Sequence, residues 1–313
     1  MQPPSTSISA STSSPPAPTD ARIPKRRDFL TRRHGALNVA HVLAAHTLLV
    51  AWFWLGYRFL PFAVYLPLSL VVCVVHQRAM SEWIHEGAHL NLVPSRRWND
   101  LVTNVLAGLW FALPVRVYRD IHFQHHRKDA FFVLDDPDTR FLDVESRPAF
   151  WRALLSDLTG LTMIRQFLRF QEKDLVPTGE RRSRALTALV PVAVLVGAFA
   201  IGRLDAALIY YASLATLYPL FNRLRTYAQH VTIDDLGRSR FDGSMASRTI
   251  EGGLLDRVVN TSPRLMYHHE HHAYPHLPYR ALESLVVRGD DDVNRYTRSR
   301  WRVLRAVYRG LPG

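Results

Sequence analysis

Three short groups of histidines are the part of this 313-residue chain best suited to chemistry that ordinary side chains cannot do. His85 and His89 stand in HEGAH, His122, His125 and His126 in HFQHH, and His268, His271 and His272 in HHEHH. On a helix, positions i and i+4, or i, i+3 and i+4, leave one face, so each group can aim its imidazoles at one point. Imidazole suits zinc, copper, iron and nickel, so the ligand type leaves the metal open. The number of ligands is more informative. A tetrahedral zinc uses three or four protein ligands, and eight histidines ask for two metals. Glu86, Asp120 and Glu270 lie inside or beside the groups. Each is either an acceptor for the second N–H of a ligating imidazole or a solvated charge. His34, His41, His46 and His76 stand alone and read as surface or hydrogen-bonded core residues.

Elements that can position these groups are visible in the hydropathy pattern. Apolar residues make up 48% of the chain and charged ones 21%, with mean hydropathy near zero at −0.07. The average hides long apolar blocks, at residues 38–57, 59–76, 185–202 and 206–221. Each is close to what a hydrocarbon core of about 30 Å requires at about 1.5 Å per residue. Arg58 splits the first pair and Arg203 to Asp205 the second, which predicts two helical hairpins. A further apolar stretch, 101–118, carries Asn104, Pro114 and Arg116 and reads as an interfacial or re-entrant helix. The expected fold is therefore all-α: an integral membrane protein with four transmembrane helices in two hairpins and a helical cytoplasmic cap holding a di-metal site.

The flanks complete this organisation. Residues 1–24 form a Ser- and Pro-rich tail of disordered composition, residues 25–285 the membrane domain, and 286–313 a basic tail. The net charge of +12 suits nucleic acid or an anionic membrane surface, and the apolar blocks favour the membrane, with no nucleic-acid partner. Lys and Arg crowd the N-terminal arm, residues 78–184 and the region after 222. By the positive-inside rule both termini and the histidines face the cytoplasm, across a bacterial inner membrane or its equivalent. Cys73 is the single cysteine, so there is neither a disulfide framework nor a cysteine-held iron–sulfur cluster.

In this order and with these spans between them, the groups resemble the three histidine boxes of the membrane fatty acid desaturases and hydroxylases, HxxxH, HxxHH and HxxHH. The resemblance covers roughly residues 40–285. It extends to the Asp135-Asp136-Pro137-Asp138 run and to Pro275, Leu277 and Pro278. It implies two non-haem irons that activate O₂ to oxidise an unactivated C–H bond, most simply desaturation of a fatty acyl or lipid-like substrate. Hydroxylase or ketolase outcomes within the same family stay open. The resemblance also implies a ninth ligand between the fourth span and the third box, where His230 stands in TYAQH; His269 and His276 flank the box as outer groups. The first residue of the third box is His268, not the Gln of front-end desaturases with fused haem domains. The chain holds no GxGxxG fingerprint and no recognisable haem domain, so electrons must come from a separate donor, such as a ferredoxin, or cytochrome b5 with a reductase. The cytoplasmic arginines suit an acidic donor and anionic lipid equally.

Two other readings compete. HEGAH satisfies HExxH, in which two histidines hold zinc and the Glu acts as general base; Asp242 would be the third ligand, and six box histidines would be left without a role. A membrane metal carrier would instead need polar ligands at mid-bilayer depth, where only His41 and His46 of the first block stand.

Overall fold

The computed structural model describes residues 23–126, 146–169, 181–234, 239–253, 266–289 and 292–312, with backbone alone at 167, 169, 181–188 and 239–245. The N-terminal tail as far as residue 22, the Asp135–Asp138 run and the Asp242 side chain lie outside the described residues.

A single turn, α1 (Arg26–Phe29), precedes the hairpin of α2 (Arg32–Phe59) and α3 (Phe62–Ala88). Thr31 starts α2, its hydroxyl accepting from the His34 N–H at 3.3 Å, which satisfies one of the orphan donors of a helix start. Pro61 turns the chain into α3. Both helices are long and apolar enough to cross a membrane. The 27 residues of α3 reach about 40 Å, past a core of about 30 Å. Its first half presents Val64, Leu68 and Val71 outward, while residues from Val74 to Ala88 are largely buried. HEGAH therefore rides on the extension of the second spanning helix itself.

The 101–118 stretch is a helical hairpin rather than one interfacial helix. α4 (Arg96–Leu106) is followed by a 3₁₀ turn at Gly108–Phe111, and α5 (Val115–His125) runs back. The break is local chemistry. Ala112 takes a left-handed conformation at φ 51°, Pro114 opens α5, and the Asn104 side chain accepts the Val115 N–H at 2.8 Å. The hairpin leaves the end of α3 and returns to it. Asn99 donates to the Gly87 carbonyl at 2.8 Å, and Arg119 donates to Ala88 O at 2.7 Å and Gly87 O at 3.0 Å. Its tip enters the bundle, where Trp110 stacks on His46 with ring centres 4.9 Å apart.

Two histidines read from the sequence as lone residues meet at that tip. His46 Nε2–H donates to Leu106 O at 2.7 Å, so His46 Nδ1 is free to accept from His76 Nε2 at 3.0 Å. His76 Nδ1 then accepts from the Tyr210 hydroxyl at 3.4 Å. With both rings neutral every step of this chain has a donor and an acceptor. It ends on a backbone carbonyl and thereby pins the hairpin. His76→Leu is expected to cost about 1–3 kcal/mol by leaving buried partners unsatisfied while metal content stays unchanged; thermal melting and metal analysis of the variant check both.

α6 (Arg147–Leu158) and α7 (Leu161–Arg169) join at Gly160, whose φ of 78° is the left-handed turn that glycine tolerates. α8 (Arg181–Ala200) and α9 (Leu204–Ala215) form the second hairpin, and α10 (Leu217–His230) continues α9 after a break at Thr216. Pro219 explains the break, since it lacks an N–H and its ring clashes with the carbonyl four residues back. Leu204–His230 taken together is long and apolar enough to span, whereas the apolar part of α8, Leu189–Ala200, is shorter. Among the described residues three helices thus meet the requirement. Both hairpin turns lie at one end of the bundle: Arg203 donates to Phe53 O at 3.0 Å and pairs with Asp205, and Tyr65 donates to Asp205 at 3.1 Å. Arg203 also lies over the Tyr57 and Trp54 rings, in the manner of an aromatic interface belt.

The chain is mostly helical, and short strands amend the all-α expectation. β1 (Val231–Ile233) pairs antiparallel with β2 (Ser239–Met245), and β3 (Thr249–Ile250) pairs parallel with β4 (Tyr296–Thr297). The Val-Thr-Ile run of β1 alternates in burial, as β-branched residues on a half-covered strand do. Between β3 and β4 come α11 (His268–Ala273) and α12 (Tyr279–Leu282), and α13 (Arg300–Gly310) closes the chain. The segment expected as a basic tail, 286–313, instead supplies β4 and α13. Val303, Leu304, Val307 and Leu311 pack with Phe150, Tyr227 and Val231 into a core beside α6 and α10.

Candidate metal centre

Nine histidines converge where α3, α5, α10 and α11 meet. Two sets form among the described residues: His85, His89, His122, His126 and His271, and next to it His125, His230, His268 and His272. Within each set the ligand nitrogens lie within 4.8 Å of one another. All eight box residues and His230 are included, and His269 and His276 are not. The boxes, however, are divided. The i, i+4 pair of α5, His122 and His126, joins the first set, while His125 leaves the same helix toward the second. On α11 the split is reversed: His268 and His272 serve the second set and His271 the first. Each three-histidine group therefore bridges both sets rather than aiming at one point.

The donors themselves show what the site fits. His268 Nε2 lies 2.8 Å from His230 Nε2 and 3.1 Å from His272 Nε2. His126 Nε2 lies 3.0 Å from both His122 Nε2 and His271 Nε2. A neutral imidazole carries one N–H, so three converging nitrogens cannot all be satisfied by each other's protons. A cation accepting several lone pairs satisfies them together. Both ring nitrogens of His85 and Nε2 of His89 are buried with no hydrogen-bond partner, which is costly unless something else takes the lone pair. His230 Nδ1–H donates to Ala246 O at 3.2 Å. That bond fixes the tautomer that turns Nε2 inward.

Electrostatics agree with this. Burial, and then the neighbouring imidazoles, hold His268, His271 and His272 well below the ordinary histidine pKa. They stay neutral at physiological pH, the form that binds metal. Residues present thus suit a pair of nitrogen-liking divalent ions with five and four imidazoles.

The three carboxylates singled out from the sequence have separate roles. Glu270 accepts from the Thr249 hydroxyl, tying α11 to β3. Glu86 accepts from the Tyr279 N–H at 3.4 Å and lies 4.0 Å from His85 Nδ1. Asp120 is exposed, a solvated charge on the outer side of α5. His269 donates from Nδ1 to Ser247 O at 3.0 Å, and His276 is exposed.

What sequence reasoning missed is the clamp on the end of α3. Arg119, one turn before His122, pairs with Asp100 at 2.5 Å and reaches two carbonyls of HEGAH. Asn99 completes the contact, accepting from Leu92 N at 3.1 Å. Gly87 packs so closely on α4 that a Cβ there would lie 2.2 Å from Thr103 Oγ1. Arg116 and Asn104, which read from the sequence as marks of an interfacial or re-entrant helix, belong to the same joint: Arg116 also reaches Asp100, at 3.3 Å.

A family sequence model decides what this arrangement belongs to: the fatty acid desaturase model matches residues 60–303. The chain is a member of the fatty acid desaturase family. The match includes all nine converging histidines, α3, the second hairpin and most of the C-terminal core. A curated relative, dihydrorhizobitoxine desaturase of Bradyrhizobium elkanii, is 24% identical over 273 residues, covering 78% of this chain and 72% of the relative. No solved structure matches the chain. Membership of this oxidoreductase family removes the metalloprotease reading of HEGAH. His85 and His89 lie with three further histidines, more than one protease zinc takes.

Proposed function

We propose that the two histidine sets hold two irons, His85, His89, His122, His126 and His271 one of them and His125, His230, His268 and His272 the other. In this reading the chain is an O₂-dependent desaturase of a fatty acyl or lipid-like substrate. The observation that carries it is the convergence of five and four inward-facing imidazoles in a chain of this family. Iron bound there would supply O₂ activation and one-electron chemistry that side chains lack.

The remaining steps belong to the protein. Neutral imidazoles keep the lone pairs available, and the His230–Ala246 and Glu270–Thr249 contacts hold the rings in place. Burial of the cluster excludes bulk water from the reacting carbon. Introducing a double bond removes two hydrogens and leaves two electrons short of the four that carry O₂ to two waters. Two electrons and two protons must therefore be delivered, by a separate ferredoxin or by cytochrome b5 with its reductase. Hydroxylation has the same electron demand, so the ligand set alone fits either outcome.

The proposed topology has an even number of spans. Counting α8 as a fourth span, both hairpin turns face one compartment and both termini face the other, with the histidines. The arginine excess on the histidine side makes that side cytoplasmic.

The relative's name gives dihydrorhizobitoxine as its substrate, so small non-lipid metabolites belong in the assay beside acyl lipids. Cells making the wild-type chain or His125→Ala are to be compared by mass spectrometry of lipids and of polar metabolites. Products lighter by two hydrogens in the wild type alone are expected. Products heavier by one oxygen would make the chain a hydroxylase, and no difference in either fraction would remove the proposal.

A further inference from the structure

α6 and α7 carry apolar stripes that stand exposed among the described residues. Trp151, Leu155 and Leu158 on α6, and Leu161, Ile164 and Leu168 on α7, are all exposed. Their spacings, i, i+4, i+7 and i, i+3, i+7, put each trio on one helix face. Neither helix can roll this face inward, because the opposite side is fixed. The buried Asp157 carboxylate takes two bonds from Arg223 of α10, at 2.6 and 2.9 Å, and one from the Thr162 hydroxyl at 2.6 Å. Gly160 sits at the elbow, where an added Cβ would lie 3.7 Å from Ala215 of α9. The elbow is therefore seated directly on a spanning helix.

Depth says what covers the stripes. Arg203 marks the far end of that span, among Tyr57 and Trp54. Arg223 follows 20 residues later (223 − 203), about 30 Å at 1.5 Å per residue. That is the thickness of the hydrocarbon core, so the Asp157–Arg223 pair lies at its opposite boundary. Exposed Arg152 and Arg165 stand beside the stripes, as basic residues do on helices that lie in an anionic membrane surface.

We propose that α6 and α7 form an interfacial elbow, their apolar stripes sunk into the headgroup–acyl boundary of the leaflet on the histidine side, with Arg152 and Arg165 at anionic headgroups. This rests on the reading of α2, α3 and α9–α10 as membrane spans, and the test separates the two. Full-length chains carrying Leu155→Cys or Ile164→Cys in a Cys73→Ser background are spin-labelled. They are placed in nanodiscs of phosphatidylcholine with a minority of phosphatidylglycerol. Collisions with oxygen, which concentrates in lipid, are compared with those of a water-soluble nickel chelate. Leu48→Cys, on the outward face of α2, reports the span itself, and Arg305→Cys, exposed on α13, reports water.

Labels at 155 and 164 are expected to show an oxygen-to-nickel ratio several-fold above that at 305, with a depth about 5–10 Å into the boundary. A water-like ratio at 155 and 164 with a lipid-like one at 48 overturns the elbow and leaves the spans standing. A water-like ratio at 48 overturns the spans. Protection from both reagents at 155 and 164, or spin–spin broadening between chains, assigns the stripes to another protein or a second copy and likewise overturns the proposal.

Discussion

Replacing His271 with alanine is expected to lower turnover by more than about 100-fold, because even the outer partners of metal ligands are worth 10–100-fold. Metal content should fall with it, since His271 Nε2 faces His126 within the five-histidine set. His230→Ala should behave alike from the other set, where its Nε2 lies 2.8 Å from that of His268. Membrane insertion should be unaffected in both, because the apolar helices that drive it remain. His34→Ala, at the start of α2, and His41→Ala, on the exposed side of that helix, are expected to stay near wild type. Metal analysis and turnover on the same preparations decide this. A His230→Ala protein with full metal and full rate would reduce the second set to its three box residues.

Gly87→Ala is the second large effect, and it touches no ligand. The new Cβ would lie 2.2, 2.5 and 2.8 Å from Oγ1, Cγ2 and Cβ of Thr103. Thr103 is fully buried and too short to swing away. α4 must then back off from α3, loosening Asn99 and Arg119 from the carbonyls between His85 and His89. Overpacking of this kind costs about 1–3 kcal/mol, and a shift of about 1 Å at a reacting centre can cost roughly 100-fold in rate. Adding Thr103→Gly removes all three close atoms and should restore much of the activity. If the single variant is as active as wild type, the α3–α4 joint does not set the position of the first box.

The boxes are legible in the sequence because helical spacing is arithmetic: i, i+3 and i+4 share a face wherever the helix lies. What the spacing could not say is how each box divides. His122 and His126 reach one centre and His125 the other because two clusters flank the same helix, a property of the packing partners and not of α5. The spanning helices were read from hydropathy, but α3 and α10 run past the apolar stretches. Their polar ends, from Gln77 to Ala88 and from Asn222 to His230, are buried by neighbouring helices rather than by lipid, so hydropathy stops short of them. The 101–118 stretch leaves an interfacial and a re-entrant helix equally open in the sequence, because Asn104 and Pro114 suit either; in the fold they make the turn that sends Trp110 into the bundle. The C-terminal residues read as a tail because arginines dominate their composition, although Val303, Leu304 and Val307 form a buried stripe beneath them.

The proposed pair of irons in the nine-histidine cluster is tested most directly by elemental analysis of the purified full-length chain, with protein quantified on the same sample. The arrangement predicts about two irons per chain, because five and four converging imidazoles exceed what one ion can use. One zinc per chain without iron would contradict it.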